Sequence, residues 1–135
     1  MTFARINYEE LNSKQKEIYN FQKIAAALAD YGFNCIKLAD DWQGADFLAY
    51  HKDGTSTLKV QLKGRPTVDK KYMNKGLHIA FPVSGSWYLV EHDSLVEKVG
   101  QHTNWLNTSS WLEGGTYSAA HLSQEFLTKL EEHKI

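Results

Sequence analysis

The dipeptide Asp53-Gly54 lies inside the run "GADFLAYHKDGTSTLKVQLKGR", residues 44–65, between two stretches of alternating apolar character. Asp-Gly between such stretches is a strong short-range signal for an antiparallel hairpin. If these two residues are the whole loop, Lys52 pairs with Thr55, and every later pair keeps the same index sum, so Asp46 stands opposite Gln61. Opposed residues have Cβ atoms roughly 4.5–5.5 Å apart, and the diagonal neighbour, Lys63, lies roughly 7–8 Å away on the same face. The other face receives Phe47 with Val60, Ala49 with Leu58, and Leu62 beyond them. A slip of one residue would put Phe47 and Asp46 on each other's side and spoil both faces.

A carboxylate, an amide and an ammonium on one face suit hydrolysis of a phosphodiester. A hard cation such as Mg²⁺ takes oxygen ligands, commonly one or two carboxylates with water and substrate phosphate, and a nearby ammonium can orient water and steady phosphate charge. The competing reading is that the outer face of a one-sided sheet is polar by default, and that the three groups are merely solvated.

The rest of the chain reads as a mixed α/β domain spanning residues 1–135 with a mainly antiparallel sheet. Asn7 with Glu10, and Asn12 with Gln15, match helix-capping patterns. Ile18, Phe21, Ile24, Ala25 and Leu28 then recur at helical spacing, and Gly32 supplies a stop, which predicts a helix over 13–31. Glu17 and Asn20 fall on its flank. A strand is expected over Phe33–Ala39, broken by "DDWQG", followed by the two hairpin strands. Next come an extended basic loop, "GRPTVDKKYMNKG", strands "LHIAFPV" and "SWYLVEH" around Ser84-Gly85, and a helix capped by Asp93. Trp105 and Trp111 read as core or interface anchors, and Leu122, Phe126 and Leu130 mark a final amphipathic helix.

The net charge is −1, so a polyanionic partner requires local charge. Six of the fifteen basic residues, Lys59, Lys63, Arg65, Lys70, Lys71 and Lys75, fall between 59 and 75 against one acid, Asp69. Such a run either contacts phosphates or is simply a solvated loop. One cysteine, Cys35, excludes an internal disulfide and a multi-cysteine zinc site, and its apolar neighbours suggest a buried, inert thiol. No apolar run spans a bilayer and "MTFARINYEE" lacks a secretory layout, so the expectation is a soluble cytoplasmic protein without membrane contact. The six histidines form neither HxxxH nor HExxH, Gly114-Gly115 lacks the Lys-Ser/Thr of a phosphate loop, and the serines lack a nucleophile-elbow context. Trp42 and Trp87 read as packing rather than base-stacking residues.

"GAD", a hairpin, then "VQLKGR", preceded by a helix, resembles the core of the PD-(D/E)XK, or restriction endonuclease-like, nuclease superfamily over about residues 13–91. The resemblance implies a helix followed by a mixed, mainly antiparallel sheet with flanking helices. It also implies a magnesium-dependent endonuclease, with Mn²⁺ as substitute. Asp46 would be the metal-binding aspartate, Gln61 would occupy the (D/E) position, the Leu62 carbonyl would be a further ligand and Lys63 the catalytic lysine. Glu17 matches an auxiliary carboxylate on the first helix. Gln61 departs from the usual acid, and 64–76 lacks the helix the common core places before its fourth strand. The partner implied is nucleic acid, double-stranded DNA before RNA, held through Lys59, Arg65, Lys70, Lys71 and Lys75. A rival reading is an inactive nucleic-acid- or protein-binding module on the same fold, and a third is an interaction protein dimerising through its tail tryptophans.

Overall fold

The computed structural model describes residues 1–135. Asn7 caps a short 3₁₀ turn, Tyr8–Glu10, and Asn12 forms a reciprocal capping box with Gln15 at the start of helix α1, Ser13–Ala29. Both capping signals therefore operate, one turn apart. The buried stripe of α1 is Asn20, Ile24 and Leu28, at strict four-residue spacing. Ile18, expected in the core, is instead 43% exposed, and Asn20 takes the inward position.

Strands β1 (Phe33–Trp42), β2 (Ala45–His51), β3 (Thr57–Leu62), β5 (Leu77–Val83) and β6 (Ser86–Glu91) form one sheet in the order β1-β2-β3-β5-β6. All neighbours are antiparallel except β3 and β5, which run parallel. Strand β1 runs three residues longer than expected and carries an irregularity between Lys37 and Trp42. Its Trp42, expected to pack, is 48% exposed.

Phe47 pairs with Val60 and Ala49 with Leu58, so the predicted index sum holds. The predicted two-residue turn does not. His51 N–H donates to the Ser56 carbonyl at 2.8 Å, leaving Lys52–Thr55 as a four-residue loop in which only Gly54 has positive φ (+79°). Lengthening the loop by one residue at each end leaves the register unchanged. The turns with positive φ at both central residues are Gln43-Gly44 (54° and 87°) and Ser84-Gly85 (50° and 82°), the geometry that matches strand twist in two-residue hairpins.

One sheet face packs on α1 through Ile24, Leu28, Phe47, Ala49, Val60, Ala80 and Trp87. The other packs on helix α2, His92–His102, and on the C-terminal segments through Ile79, Phe81, Val90, Leu95, Val99, Trp105, Trp111, Phe126 and Leu130. The tail tryptophans are thus part of the core rather than a surface for dimerisation. Helix α2 starts one residue before the expected cap, with Glu91 as N-cap. After it come α3 (Ser109–Leu112), β7 (Thr116–Ser118) and α4 (Gln124–Leu130). Cys35 is half-buried, and burial pushes its thiol up.

The expected basic loop is largely ordered. It contains β4 (Thr67–Asp69), paired antiparallel with β7 in a second small sheet, and a 3₁₀ turn, Lys70–Tyr72. His92, fully buried at the start of α2, holds this segment down. Its Nε2 accepts from the Asp69 N–H at 3.1 Å, so in the neutral ring Nδ1 carries the proton toward Asp93 Oδ1 at 3.3 Å. Burial pushes His92 below its usual range, against the pull of Asp93, which keeps the ring neutral.

Gly44 (φ +87°) gives a check on the turn that starts β2, because a Cβ there would lie 2.7 Å from Leu77 Cδ1. Gly44→Ala should cost about 2 kcal/mol or more in urea unfolding, combining left-handed strain with overpacking. Gly54→Ala, at φ +79° with nothing within 4 Å, should cost only about 1 kcal/mol. Equal losses would remove the steric part of this account.

Candidate active site

Continuing the β2–β3 register would pair Ala45 with Leu62, and a main-chain oxygen would take the Leu62 N–H. The Asp46 side chain intervenes: its Oδ2 accepts that N–H at 2.8 Å, where the ladder ends. The next residue is fixed from the other side, since Lys63 N–H donates to the Ala80 carbonyl of β5 at 2.9 Å. The observed register stops at Phe47–Val60, one pair short of Asp46 and Gln61; what links the candidates is the Asp46–Leu62 hydrogen bond and the charge of Lys63 acting on Asp46.

Asp46 is half-buried, and burial pushes its carboxyl above the ordinary range; the Leu62 N–H, Lys37 and Lys63 pull the other way, and Asp41 adds to the rise. Gln61 is 8% exposed; its amide makes no hydrogen bond within the protein and stays open to solvent. Lys63 makes no ion pair. Its Nζ lies 5.5 Å from the centroid of the Tyr72 ring, and Lys71 Nζ lies 5.2 Å from it. Tyr72 is almost wholly buried, packs edge-on to His92 at 5.5 Å, and has its hydroxyl pushed up, first by burial and then by Asp69, Asp46 and Asp41.

Glu17 lies on α1, half exposed, with Oε1 3.0 Å from Lys37 Nζ and 3.8 Å from Lys14 Nζ. The Lys37 hydrogen bond and charge hold its carboxyl below the usual range. Glu17 lines a hollow of about 300 Å³ together with Leu62, Lys63 and Gly64. Asn20, the other flank candidate, is 7% exposed and donates to the Tyr8 hydroxyl at 2.9 Å, so it is committed to packing.

The basic residues have unequal freedom. Lys59 is tied to the Lys75 carbonyl at 2.8 Å and to Gln43 Oε1 at 3.3 Å, and Arg65 Nε donates to Ser118 Oγ at 2.7 Å. Lys70 Nζ sits 5.4 Å from the Trp111 ring centroid. Lys70, Lys71 and Lys75 are exposed.

No three His, Cys, Asp or Glu side chains converge anywhere in the fold. The oxygens at the end of β3 are the second oxygen of Asp46, the unpaired amide oxygen of Gln61 and the Leu62 carbonyl. Hard neutral and anionic oxygens of this kind fit one Mg²⁺ or Mn²⁺ whose other positions go to water and phosphate, rather than a site closed by protein alone.

Tyr72, Lys37 and Asp41 are the site residues that pattern reasoning did not single out. Lys37 carried a signal: it alternates with Cys35 on the inward-facing parity of β1. Tyr72 carried none, since it is remote in sequence and sits in a segment read as a loop.

This fold is similar to that of a bacterial homing endonuclease, I-Ssp6803I. The likeness covers 90% of this chain and 94% of that one, with a TM-score of 0.51 and 14% sequence identity. No protein-family model and no curated protein matches the chain. This chain's architecture is an α/β domain on a mixed five-stranded sheet with flanking helices. No helix is long and apolar enough to cross a membrane.

The raised Asp46 carboxyl has a signed consequence. A folded-state pKa above the unfolded value means the native state binds more protons across the window between the two, so stability falls as pH rises through it. Asp46→Asn keeps an oxygen for the Leu62 N–H and removes the buried charge. In metal-free buffer its urea midpoint should exceed that of the parent at pH 7, and the difference should vanish below the ordinary carboxylate value near 3.8. Added Mg²⁺ should raise the parent's melting temperature and leave the Asn variant's unchanged.

Proposed function

We propose that the protein is a metal-dependent nuclease that hydrolyses phosphodiester bonds in DNA, on a PD-(D/E)XK-like site with Gln61 at the acidic position. The observation that carries this reading is the Asp46 carboxylate, half-buried against its own charge and beside an unpaired Gln61 amide, at the point where its hydrogen bond to Leu62 ends the ladder. The fold shared with a bacterial homing endonuclease supports the same reading.

Asp46, the Gln61 amide oxygen and the Leu62 carbonyl would hold Mg²⁺, or Mn²⁺ in its place. When bound, the ion supplies Lewis-acid polarisation of the phosphate and a more acidic water. Lys63 would donate a hydrogen bond to a non-bridging phosphate oxygen as the new P–O bond forms. The attacking water gives up its proton to solvent, the bond to the leaving oxygen breaks, and that oxygen takes a proton from solvent. Lys63 is suited to this role because its ammonium is free of carboxylate partners and is held over the Tyr72 ring. Glu17, lining the same hollow as Leu62 and Lys63, is the auxiliary carboxylate on the α1 side. Lys70, Lys71 and Lys75 hold the duplex backbone, with Lys59 and Arg65 contributing less because internal acceptors engage them.

An inactive binding module on the same fold is the second reading, favoured by one observation: the site contains a single formal metal-ligating charge.

The full chain and its variants, checked for fold by circular dichroism, would be assayed on plasmid and oligonucleotide substrates with Mg²⁺ or Mn²⁺. Lys63→Ala should lower cleavage by about 10²–10³ with little change in DNA binding, the size typical of losing one preorganised donor. Asp46→Asn should abolish metal-dependent cleavage, and Gln61→Glu should retain it or tighten Mg²⁺ binding. A parent that cuts nothing in either metal while still binding DNA makes the module reading the correct one.

Replacing Lys70 and Lys71 together with Ala should weaken duplex binding almost equally for all sequences and flatten the salt dependence by roughly two phosphate contacts. An unchanged slope of affinity against salt would remove these lysines from the interface.

A further inference from the structure

The largest cavity in the molecule is not the hollow beside Lys63 but one joined to it. It measures about 550 Å³, within the range of about 300–1,000 Å³ usual for small-ligand sites. Tyr8, Tyr19, Asn20 and Lys23 line it from α1 and the turn before it, and Pro82, Ser84, Gly85 and Trp87 line it from the β5–β6 hairpin. Tyr8, Asn20 and Gly64 border both this cavity and the hollow formed by Glu17, Leu62 and Lys63, so the two are one continuous groove leading away from Lys63.

Three aromatic rings lie in this groove. Tyr8 and Tyr19 are 5.2 Å apart with planes inclined at 59°, and the buried Asn20 side chain fixes the Tyr8 hydroxyl. Each tyrosine has an ammonium beside it: Lys16 at 5.2 Å from the Tyr8 centroid and Lys23 at 5.3 Å from that of Tyr19. Glu9, the acid on this cavity, is neutralised by Lys16 at 3.4 Å, and Lys23 has no ion pair. Aromatic faces beside one unspent cation, Lys23, match the two halves of a nucleotide, a base to stack and a phosphate to neutralise. In a duplex both faces of every base are already stacked, so only an unpaired nucleotide can use such rings.

We infer that the groove of Tyr8, Tyr19, Lys23 and Trp87 binds an unpaired nucleotide of a nucleic-acid strand whose phosphate backbone continues to Lys63. The inference rests on the nuclease reading for the position of the reacting phosphate, but not for the binding itself. The substrate class would then be a strand with single-stranded character next to the cut, such as a branch, flap or opened end, rather than an intact duplex.

Binding is measured with EDTA present, so that nothing is cut, by anisotropy of a fluorescein-labelled dT₁₂ strand and of a labelled 12-base-pair duplex on the full chain. Tyr19→Ala should weaken dT₁₂ binding by about 10-fold, the order of losing one base–aromatic stack, while Tyr19→Phe stays within about twofold of the parent. Lys23→Glu, on the exposed flank of α1, should weaken the same probe, and duplex binding should respond to none of the three. Failure of the nuclease reading would show as a parent that cuts nothing yet keeps Tyr19-dependent dT₁₂ binding, an outcome in which the groove still stands. Cleavage with dT₁₂ binding indifferent to Tyr19→Ala and Lys23→Glu would overturn the groove alone, as would equal losses on strand and duplex.

Discussion

The hydrogen bond from Leu62 N–H to Asp46 Oδ2, 2.8 Å long, is the interaction on which the arrangement at the end of β3 depends. A regular ladder would have spent that N–H on a main-chain oxygen of Ala45. By taking it with a side chain, Asp46 ends the β2–β3 ladder and leaves the strand ends free of each other. Past that point β3 is held from the β5 side, where the Lys63 N–H donates to the Ala80 carbonyl. Asp46 achieves this with its carboxyl raised by burial, so the bond is maintained against a desolvation cost, a condition more often met at working sites than at structural ones.

The support beneath that bond comes from an unexpected quarter. Segment 64–76 was legible as basic but not as structure. Pro66 removes a donor, Thr67 and Val68 are β-branched, and Asn74 and Gly76 take positive φ (60° and 65°), so a helix is disfavoured throughout. What those residues form instead is an edge, and its partner is β7, whose pairing residue Thr116 lies 47 positions downstream of Asp69. No local pattern announces a three-residue strand with so distant a partner. His92 then ties Asp69 to α2, and Tyr72 extends from this anchored turn to lie beneath Lys63. The lysine is thus positioned from two sides, by β5 through its backbone and by the basic segment through an aromatic ring.

How much could be read from sequence follows from where the determinants lie. The hairpin register was legible because two independent constraints agreed, a central Asp-Gly and alternation on both flanks, and it survived a wrong turn type because the loop is longer by one residue at each end. Both capping signals before α1 were legible because a cap is a contact within one turn: Asn7 takes the Glu9 N–H and Asn12 the Gln15 N–H. The inward residue of α1 was misjudged: Asn20 is buried because Tyr8, from the preceding turn, accepts its hydrogen bond, and Ile18 is left outside. The nearness of Asp46 to the end of β3 was legible, and its bond to Leu62 realises it. Tyr72 and Asp41 were not legible, since their relation to Asp46 is set by the crossover to β5 and by the β1 irregularity, whereas Lys37 sits in the regular ladder opposite Phe47.

The charges around Asp46 bear on the order in which a metal-dependent site of this kind would fill. Its protein ligands would bring one formal negative charge, while Lys37 and Lys63 both act on Asp46 from nearby. A dication placed there alone meets weak attraction from the carboxylate and repulsion from two ammonium groups. A phosphate changes the balance, because it pairs with Lys63 and supplies the anionic oxygens that Gln61 does not. On this reading metal and substrate bind with positive coupling, each raising the affinity of the other by the same factor. Free metal then binds weakly and is held more tightly with the strand in place, and Gln61 is a residue that couples ion occupancy to the substrate rather than a defect in the acidic pattern.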